Sequence, residues 1–316
     1  MLTVYRLKFG STIKIFRVKT GCSSRRSGLT LVETLVVVAI VAILIGLSAV
    51  SIGAMRERAR RVHCQNNLRQ LGVSLLSFEG VNGHLPARRH FNLQKDEIWG
   101  PFVALSPYLE ITEVSDFEAL PMPQVFQCPS APDGLSYRFN VGPFFVELRE
   151  RNRYDGNGVV KNFSRGVVNL SEVTDGLSNT AALAERMTWG TTKRVPAGLF
   201  VSNSFHDMQS LQESCAAMVP FQVGNKVVAE EWFGHVEWEI GYDHFKTPNS
   251  TMVDCHGALM PPGLASNTIS ARGKHAGGVF AVKLDGSVFW TSATVDQGIW
   301  RAIGSRSSDE SYWATW

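Results

Sequence analysis

Hydrophobic positions fall into two regimes along this chain. From Leu29 to Met55 the sequence reads LTLVETLVVVAIVAILIGLSAVSIGAM, 27 residues with one charge, Glu33. At about 1.5 Å rise per residue such a helix covers about 40 Å, against a bilayer hydrocarbon core of about 30 Å, so a membrane-spanning helix is predicted over 29–55. Beyond it Leu68, Leu71, Leu75 and Phe78 recur at spacings of three and four, which continues the helix over 56–79 as an amphipathic rod with one apolar stripe. Gly80, Asn82 and Gly83 punctuate its end, and Pro86 forbids simple continuation. From 81 to 316 the pattern changes to short runs such as VVNL, GLF and GGVFAV broken by Gly, Pro and Asn, with a loop-rich insertion at about 140–260. The predicted fold is α+β: a long N-terminal helix packed on a mainly antiparallel β-sheet globular domain. The clearest hairpin is KHAGGVFAVKLDGSVFWTS, in which Asp285-Gly286 supplies the tight turn. Asp175-Gly176 makes a second turn, before a strand or short helix in TAALAERM. No internal repeat is present, so no solenoid is implied.

The 316 residues suffice for one large domain, and 44% hydrophobic with 19% charged residues excludes both a disordered tail and a polytopic membrane protein. The net charge of +3 is unevenly placed. Arg6, Lys8, Lys14, Arg17, Lys19, Arg25 and Arg26 stand in residues 1–28 with no acid among them, leaving 24 basic against 28 acidic residues in the rest. The basic character belongs to this leader, and nothing beyond it asks for nucleic acid. The same charges keep the leader cytoplasmic and put the C-terminal bulk outside; Arg56, Glu57, Arg58, Arg60 and Arg61 weaken the asymmetry without reversing it. The apolar run exceeds the ~7–15 residues of a secretory signal and lacks an Ala-x-Ala exit, so a removable signal peptide does not fit.

A carboxylate inside an apolar helix is costly and asks for a partner. Were the chain cut between Gly28 and Leu29, the new α-amino group would lie four residues from Glu33, and in a bundle it would pair with Glu33 of a neighbour. These residues, RRSG followed by LTLVETLVVVAIVAILIG, resemble the type IV prepilin signature of pilins and type II secretion pseudopilins. The resemblance implies a leader 1–28 removed by prepilin peptidase after Gly28, methylation of the new N-terminus, and Glu33 as the assembly carboxylate. Leu29 stands where Phe is usual. Further runs, ARRVHCQNNLRQLG, VFQCPS, EVTDGLSNTAALAER, PNSTMVDC and a closing His275, nine residues, then Asp285-Gly286, resemble the pilin-like family catalogued as domain of unknown function 1559. That family has no settled biochemical activity.

Of the cysteines Cys22, Cys64, Cys128, Cys215 and Cys255, leader removal takes Cys22 and leaves four on the oxidising side of the membrane. Three pairings are open; Cys64–Cys128 and Cys215–Cys255 are favoured, each contributing ~2–4 kcal/mol, with free buried thiols as the alternative. His235, Glu237, Glu239, Asp243, His244, Asp254 and His256 crowd into 22 residues, yet alternation with Val236 and Trp238 on a strand explains the pattern without a metal, and none is assigned. His275 lies at the open end of the predicted hairpin, too far from Asp285 for a dyad, and is read as orienting the strand through a backbone bond. Ser178, Asn179 and Thr180 read as loop residues bonding local backbone. Trp290, Trp300, Trp313 and Trp316 read as core or edge packing, with a binding surface as the other use. No nucleophile elbow, phosphate loop, zincin or dinucleotide motif occurs, and no cofactor is expected.

The expected function is a non-catalytic pilin- or pseudopilin-like subunit of the inner (cytoplasmic) membrane, single-pass with an extracytoplasmic domain. Its expected partners are prepilin peptidase, membrane lipid, and sister pilin-like subunits or a secretion assembly platform. The alternative is a membrane-tethered extracytoplasmic binding module that uses the helix only for export and anchoring, since loops on a rigid scaffold carry recognition.

Overall fold

A computed structural model describes residues 30–92, 97–111, 122–131, 134–143, 145–147, 157–161, 166–186, 200–205, 240–252, 254–259 and 264–307. The chain divides into two compact units, Met1–Gly53 and Ala54–Trp316.

Helix α1, Leu31–Asn82, is 52 residues long. Its first part carries large apolar side chains exposed on every side, among them Leu31, Leu35, Ile40, Ile45 and Leu47, and it is long and apolar enough to cross a membrane. In the second unit α1 changes character. Cys64, Leu68, Leu71, Leu75 and Phe78, spaced four, three, four and three apart, are buried in the main core with Leu85, Phe102, Phe126, Tyr137, Phe139, Val282 and Leu284. The stripe expected from the sequence is the stripe that packs.

The short strands β1 (His90–Asn92) and β2 (Glu97–Trp99) pair antiparallel and lead into α2, Pro101–Leu105, a fully buried turn of helix. The central sheet contains β3 (Tyr137–Asn140), β5 (Ala181–Glu185), β7 (Gly241–Tyr242), β10 (Gly278–Lys283) and β11 (Val288–Ser292), in the order β11-β10-β5-β3-β7. A second sheet orders β4 (Phe145–Glu147), β9 (Leu264–Thr268), β8 (Cys255–Leu259) and β6 (Phe200–Phe205). The chain then closes with α3, Gln297–Gly304, whose first turn is capped by Asp296 accepting from Ile299 N at 3.0 Å.

The fold is α+β, with mixed rather than purely antiparallel sheets. β3 pairs with β7, and β6 with β8, in parallel. Both parallel pairs join strands far apart in sequence, which is what a parallel connection requires, whereas adjacent strands can use a hairpin. β5 answers the ambiguity of TAALAERM in favour of strand, with all five residues buried. VVNL is different: Asn169 and Glu172 close a reciprocal capping box around a short 3-10 turn, Leu170–Glu172, and that local bonding takes the segment out of strand geometry.

The hairpin lies where the sequence puts it. Ser287 N donates to Asp285 Oδ1 at 2.8 Å, and Gly286 sits at φ 81, a conformation that glycine adopts without a Cβ penalty. The turn is pressed against α1. A Cβ added to Gly72 would lie 2.7 Å from Val282 Cγ2 and 3.2 Å from Gly286 Cα, so two glycines allow helix and hairpin backbones to meet.

Candidate functional site

At the N-terminal end the described chain starts at Thr30; Gly28 and Leu29 lie outside the described residues. Thr30 N donates to Glu33 Oε2 at 2.8 Å, Thr30 Oγ1 donates to the same oxygen at 2.9 Å, and Glu33 N donates to Thr30 Oγ1 at 3.3 Å. This is a capping box. The carboxylate, which the sequence says asks for a partner, accepts from donors at the start of its own helix. The T-x-x-E spacing that signals it is present in the sequence.

A second constellation gathers around the closing motif. Cys64 on α1 and Cys128 on the loop before β3 are joined by a disulfide that spans 64 positions. Closing so long a loop removes conformational entropy from the unfolded chain worth about 4 kcal/mol. Cys215 lies outside the described residues, as does the side chain of Cys255. Beside the disulfide lies His275, 2% exposed, just ahead of β10. Its Nδ1 is 2.9 Å from Glu57 Oε1 on α1, its Nε2 is 3.2 Å from Glu185 Oε1 at the end of β5, and the same Nε2 is 3.6 Å from Cys128 Sγ. The expectation of a backbone bond is therefore corrected: His275 links two carboxylates, one from the helix and one from the sheet.

The surroundings hold that geometry. Glu185 Oε2 accepts from Phe280 N at 3.0 Å, and a Cβ on Gly273 would come within 2.7 Å of it, so a glycine leaves the room the carboxylate needs. The Phe280 ring meets the imidazole edge-on at 5.7 Å. Tyr137 donates from its hydroxyl to Cys64 O at 3.2 Å. Burial works against a charged imidazole, but the hydrogen bonds and charges of Glu185 and Glu57 outweigh it and hold His275 above the ordinary histidine range. The hydrogen bond from His275, aided by Arg60, holds Glu57 below the usual carboxylate range despite some desolvation. Burial, reinforced by the charge of Glu185, pushes the Tyr137 phenol up. Asp285 belongs to the turn and does not reach His275, consistent with the open-end placement read from spacing.

Arg61 packs over the Trp290 ring at 5.3 Å and donates to Ala276 O at 3.2 Å, tying helix to hairpin a second time. Trp290 is 38% exposed, whereas Trp300 is buried and stacks on His244 at 3.9 Å; Trp313 and Trp316 lie outside the described residues.

The acidic and histidine-rich stretch is divided. His235, Glu237 and Glu239 lie outside the described residues, as does the side chain of His256. Asp254 is fully buried and surrounded by cations: Arg186 at 2.7 Å, Lys246 at 3.2 Å and Arg272 at 3.1 Å. Asp243 accepts from Phe245 N and from Ile269 N. His244 bonds to Trp300 O at 2.7 Å and Tyr242 Oη at 3.0 Å. Reading only the local stretch misses Arg186 and Arg272, whose three-way ion pairing gives Asp254 a structural task. Ser178 lies in a turn between Asp175 and Thr180; Asn179 Nδ2 donates to Asp175 O at 2.9 Å, and Thr180 Oγ1 donates to Gly176 O and Ser305 O at 3.2 Å.

Residues 23–49 match the prokaryotic N-terminal methylation motif, which, with the apolar helix, makes this a pilin-like, prepilin-processed class of protein and supports anchoring in a membrane. Residues 53–124 and 114–298 match the model of a protein of unknown function, DUF1559, and since this covers most of the chain, the chain belongs to that family. The match includes Glu57, Cys64, Cys128, Glu185 and His275. Comparison with curated proteins and with solved structures gives no match.

Proposed function

We propose that this chain is a non-catalytic structural subunit of the pilin or pseudopilin kind. Prepilin peptidase removes residues 1–28 after Gly28, and Leu29 becomes the methylated N-terminus. The apolar part of α1 then holds the protein in the inner membrane, with the β-rich domain extracytoplasmic, until it joins sister pilin-like subunits or a secretion assembly platform. The observation that carries this reading is the position of Glu33: the fifth residue from the cut, at the head of an apolar helix otherwise free of charge up to Met55. The capping box supports it. A carboxylate bonded to Thr30 N rests one residue from the place where cleavage creates an ammonium, and in an assembly it can exchange its own Thr30 for the amine of a neighbour.

N-terminal analysis of the protein from its native membrane tests processing: a start at Leu29 is expected, and a retained Met1 overturns it. Thr30→Val and Glu33→Ala separate the two uses of the carboxylate. Thr30→Val removes the hydroxyl bonds of the cap and Glu33→Ala removes the cap entirely, but only Glu33→Ala is expected to block incorporation into an assembly while leaving membrane insertion intact. Equal behaviour of the two variants removes the pairing mechanism. Processing without incorporation of the wild type leaves the tethered module in its place.

A further inference from the structure

We infer that Cys64, Cys128, Glu185 and His275 form a closed zinc site when the Cys64–Cys128 disulfide is reduced, so that disulfide and metal are alternative fillings of one buried pocket. The four side chains each offer one ligand atom, all within 4.8 Å of one another, and all four residues are buried. Two thiolates, one imidazole and one carboxylate make a donor set suited to zinc among the common divalent ions.

The geometry goes further than proximity. Zinc–sulfur, zinc–nitrogen and zinc–oxygen bonds of about 2.3, 2.05 and 2.1 Å on a tetrahedron set sulfur–nitrogen and nitrogen–oxygen edges of about 3.6 and about 3.4 Å. The distances already present are 3.6 Å from Cys128 Sγ to His275 Nε2 and 3.2 Å from Nε2 to Glu185 Oε1. Opening the sulfur pair to about 3.8 Å, the corresponding edge for two thiolates, by turning the two cysteine side chains completes the tetrahedron.

The outer contacts are in place as well. Glu57 accepts from His275 Nδ1 at 2.9 Å, the carboxylate–histidine arrangement that leaves Nε2 to bind a metal. Phe280 N holds the second oxygen of Glu185 at 3.0 Å. With no open position, the role is structural: the ion would bind α1, the Cys128 loop, β5 and the start of β10 together as the disulfide binds the first two.

The chemistry balances with an external reductant. A phosphine adds two electrons to the S–S bond and leaves as its oxide with oxygen from water, and the two sulfurs take the two protons. Zinc then displaces both thiol protons and any proton on Nε2.

The test uses the full-length protein in detergent, one half oxidised and one half reduced with a phosphine and desalted without oxygen. Each half is titrated with zinc against a chromogenic chelator and with cobalt(II) followed by absorption. The reduced protein is expected to take up one zinc per chain and to give cobalt bands of tetrahedral thiolate coordination, including sulfur-to-metal charge transfer, and the oxidised protein neither. Glu57→Gln, which alters no ligand, should keep the cobalt spectrum while weakening zinc binding by about 10–100-fold. Reduced protein that binds no stoichiometric zinc, folded or not, overturns the inference. So does equal binding by the oxidised form, or a cobalt spectrum without the sulfur band.

Discussion

Nδ1 of His275 lies 2.9 Å from Oε1 of Glu57, a residue 218 positions earlier in the chain. One imidazole thereby joins the part of α1 that belongs to the second unit to the last hairpin, with Glu185 of the central sheet on its other nitrogen.

The two carboxylates differ in burial, and their losses should differ too. His275→Ala strands Glu185, whose side chain is 3% exposed, and is expected to cost about 3–5 kcal/mol, as when one partner of a buried ion pair is removed. Glu57 is 35% exposed, so solvent already screens it, and Glu57→Ala should cost about 1 kcal/mol or less. Urea unfolding of both single variants and the double variant measures this; equal costs for the two single changes would contradict the asymmetry.

Among the described residues, Asp254 is a buried carboxylate paired with three cations, and its loss should be costly. Asp254→Ala leaves Arg186, Lys246 and Arg272 buried around an uncharged position, and a loss of about 3–5 kcal/mol is expected. Lys246→Met removes one cation of three, and its ammonium is already disfavoured by burial, so it should cost much less. Thermal unfolding followed by circular dichroism ranks the two, and a larger loss for Lys246→Met would overturn the account.

Two glycines of one helix predict opposite signs. Gly72→Ala pushes a methyl group into Val282 and the Gly286 backbone and should destabilise by about 1–3 kcal/mol. At Gly80 a Cβ meets nothing within 4 Å, so Gly80→Ala should stabilise by about 0.5–1 kcal/mol through higher helix propensity. Chemical denaturation of the pair checks the direction as well as the size.

Acid should weaken the fold through buried neutral histidines. Burial, only partly offset by the Trp300 carbonyl, pushes His244 down to about 3; burial, helped by the charge of His84 and opposed by the Ala87 carbonyl, pushes His90 down to about 4. Both values lie below the ordinary value near 6.5, so the unfolded chain binds protons that the folded one refuses. Their contribution is present above about pH 6.5 and is lost as pH falls toward each folded value, by about 1.4 kcal/mol per pH unit for each residue. His244→Gln should therefore shrink the stability difference between pH 7 and pH 5 by about 2 kcal/mol, measured by urea unfolding at the two pH values. An unchanged difference would remove His244 from the explanation.

What was legible in the sequence was local and periodic. The spacing of Leu68, Leu71, Leu75 and Phe78 declares a buried helical face because 3.6 residues make a turn, and Asp285-Gly286 declares a hairpin because its backbone angles suit few other residues. The Thr30–Glu33 cap is equally local, a T-x-x-E spacing at the head of the apolar run. The His275 constellation was not legible, since its carboxylates come from residues 57 and 185 and no spacing rule connects them. A faint signal did exist: Glu185 ends AALAE, a run whose other members are all apolar, and a charge there needs a buried partner. The task of Asp254 is hidden for a related reason, since two of its three cations, Arg186 and Arg272, lie 68 positions before and 18 after it.

The seating of Gly286 against Gly72 also governs when the domain can be finished. The surface that covers the helix stripe includes Val282 and Leu284, made more than two hundred residues after the helix they shelter. A chain interrupted during synthesis or export before the last hairpin emerges thus leaves that stripe bare. Truncation anywhere ahead of this hairpin should yield a sticky, protease-sensitive product instead of a smaller working domain.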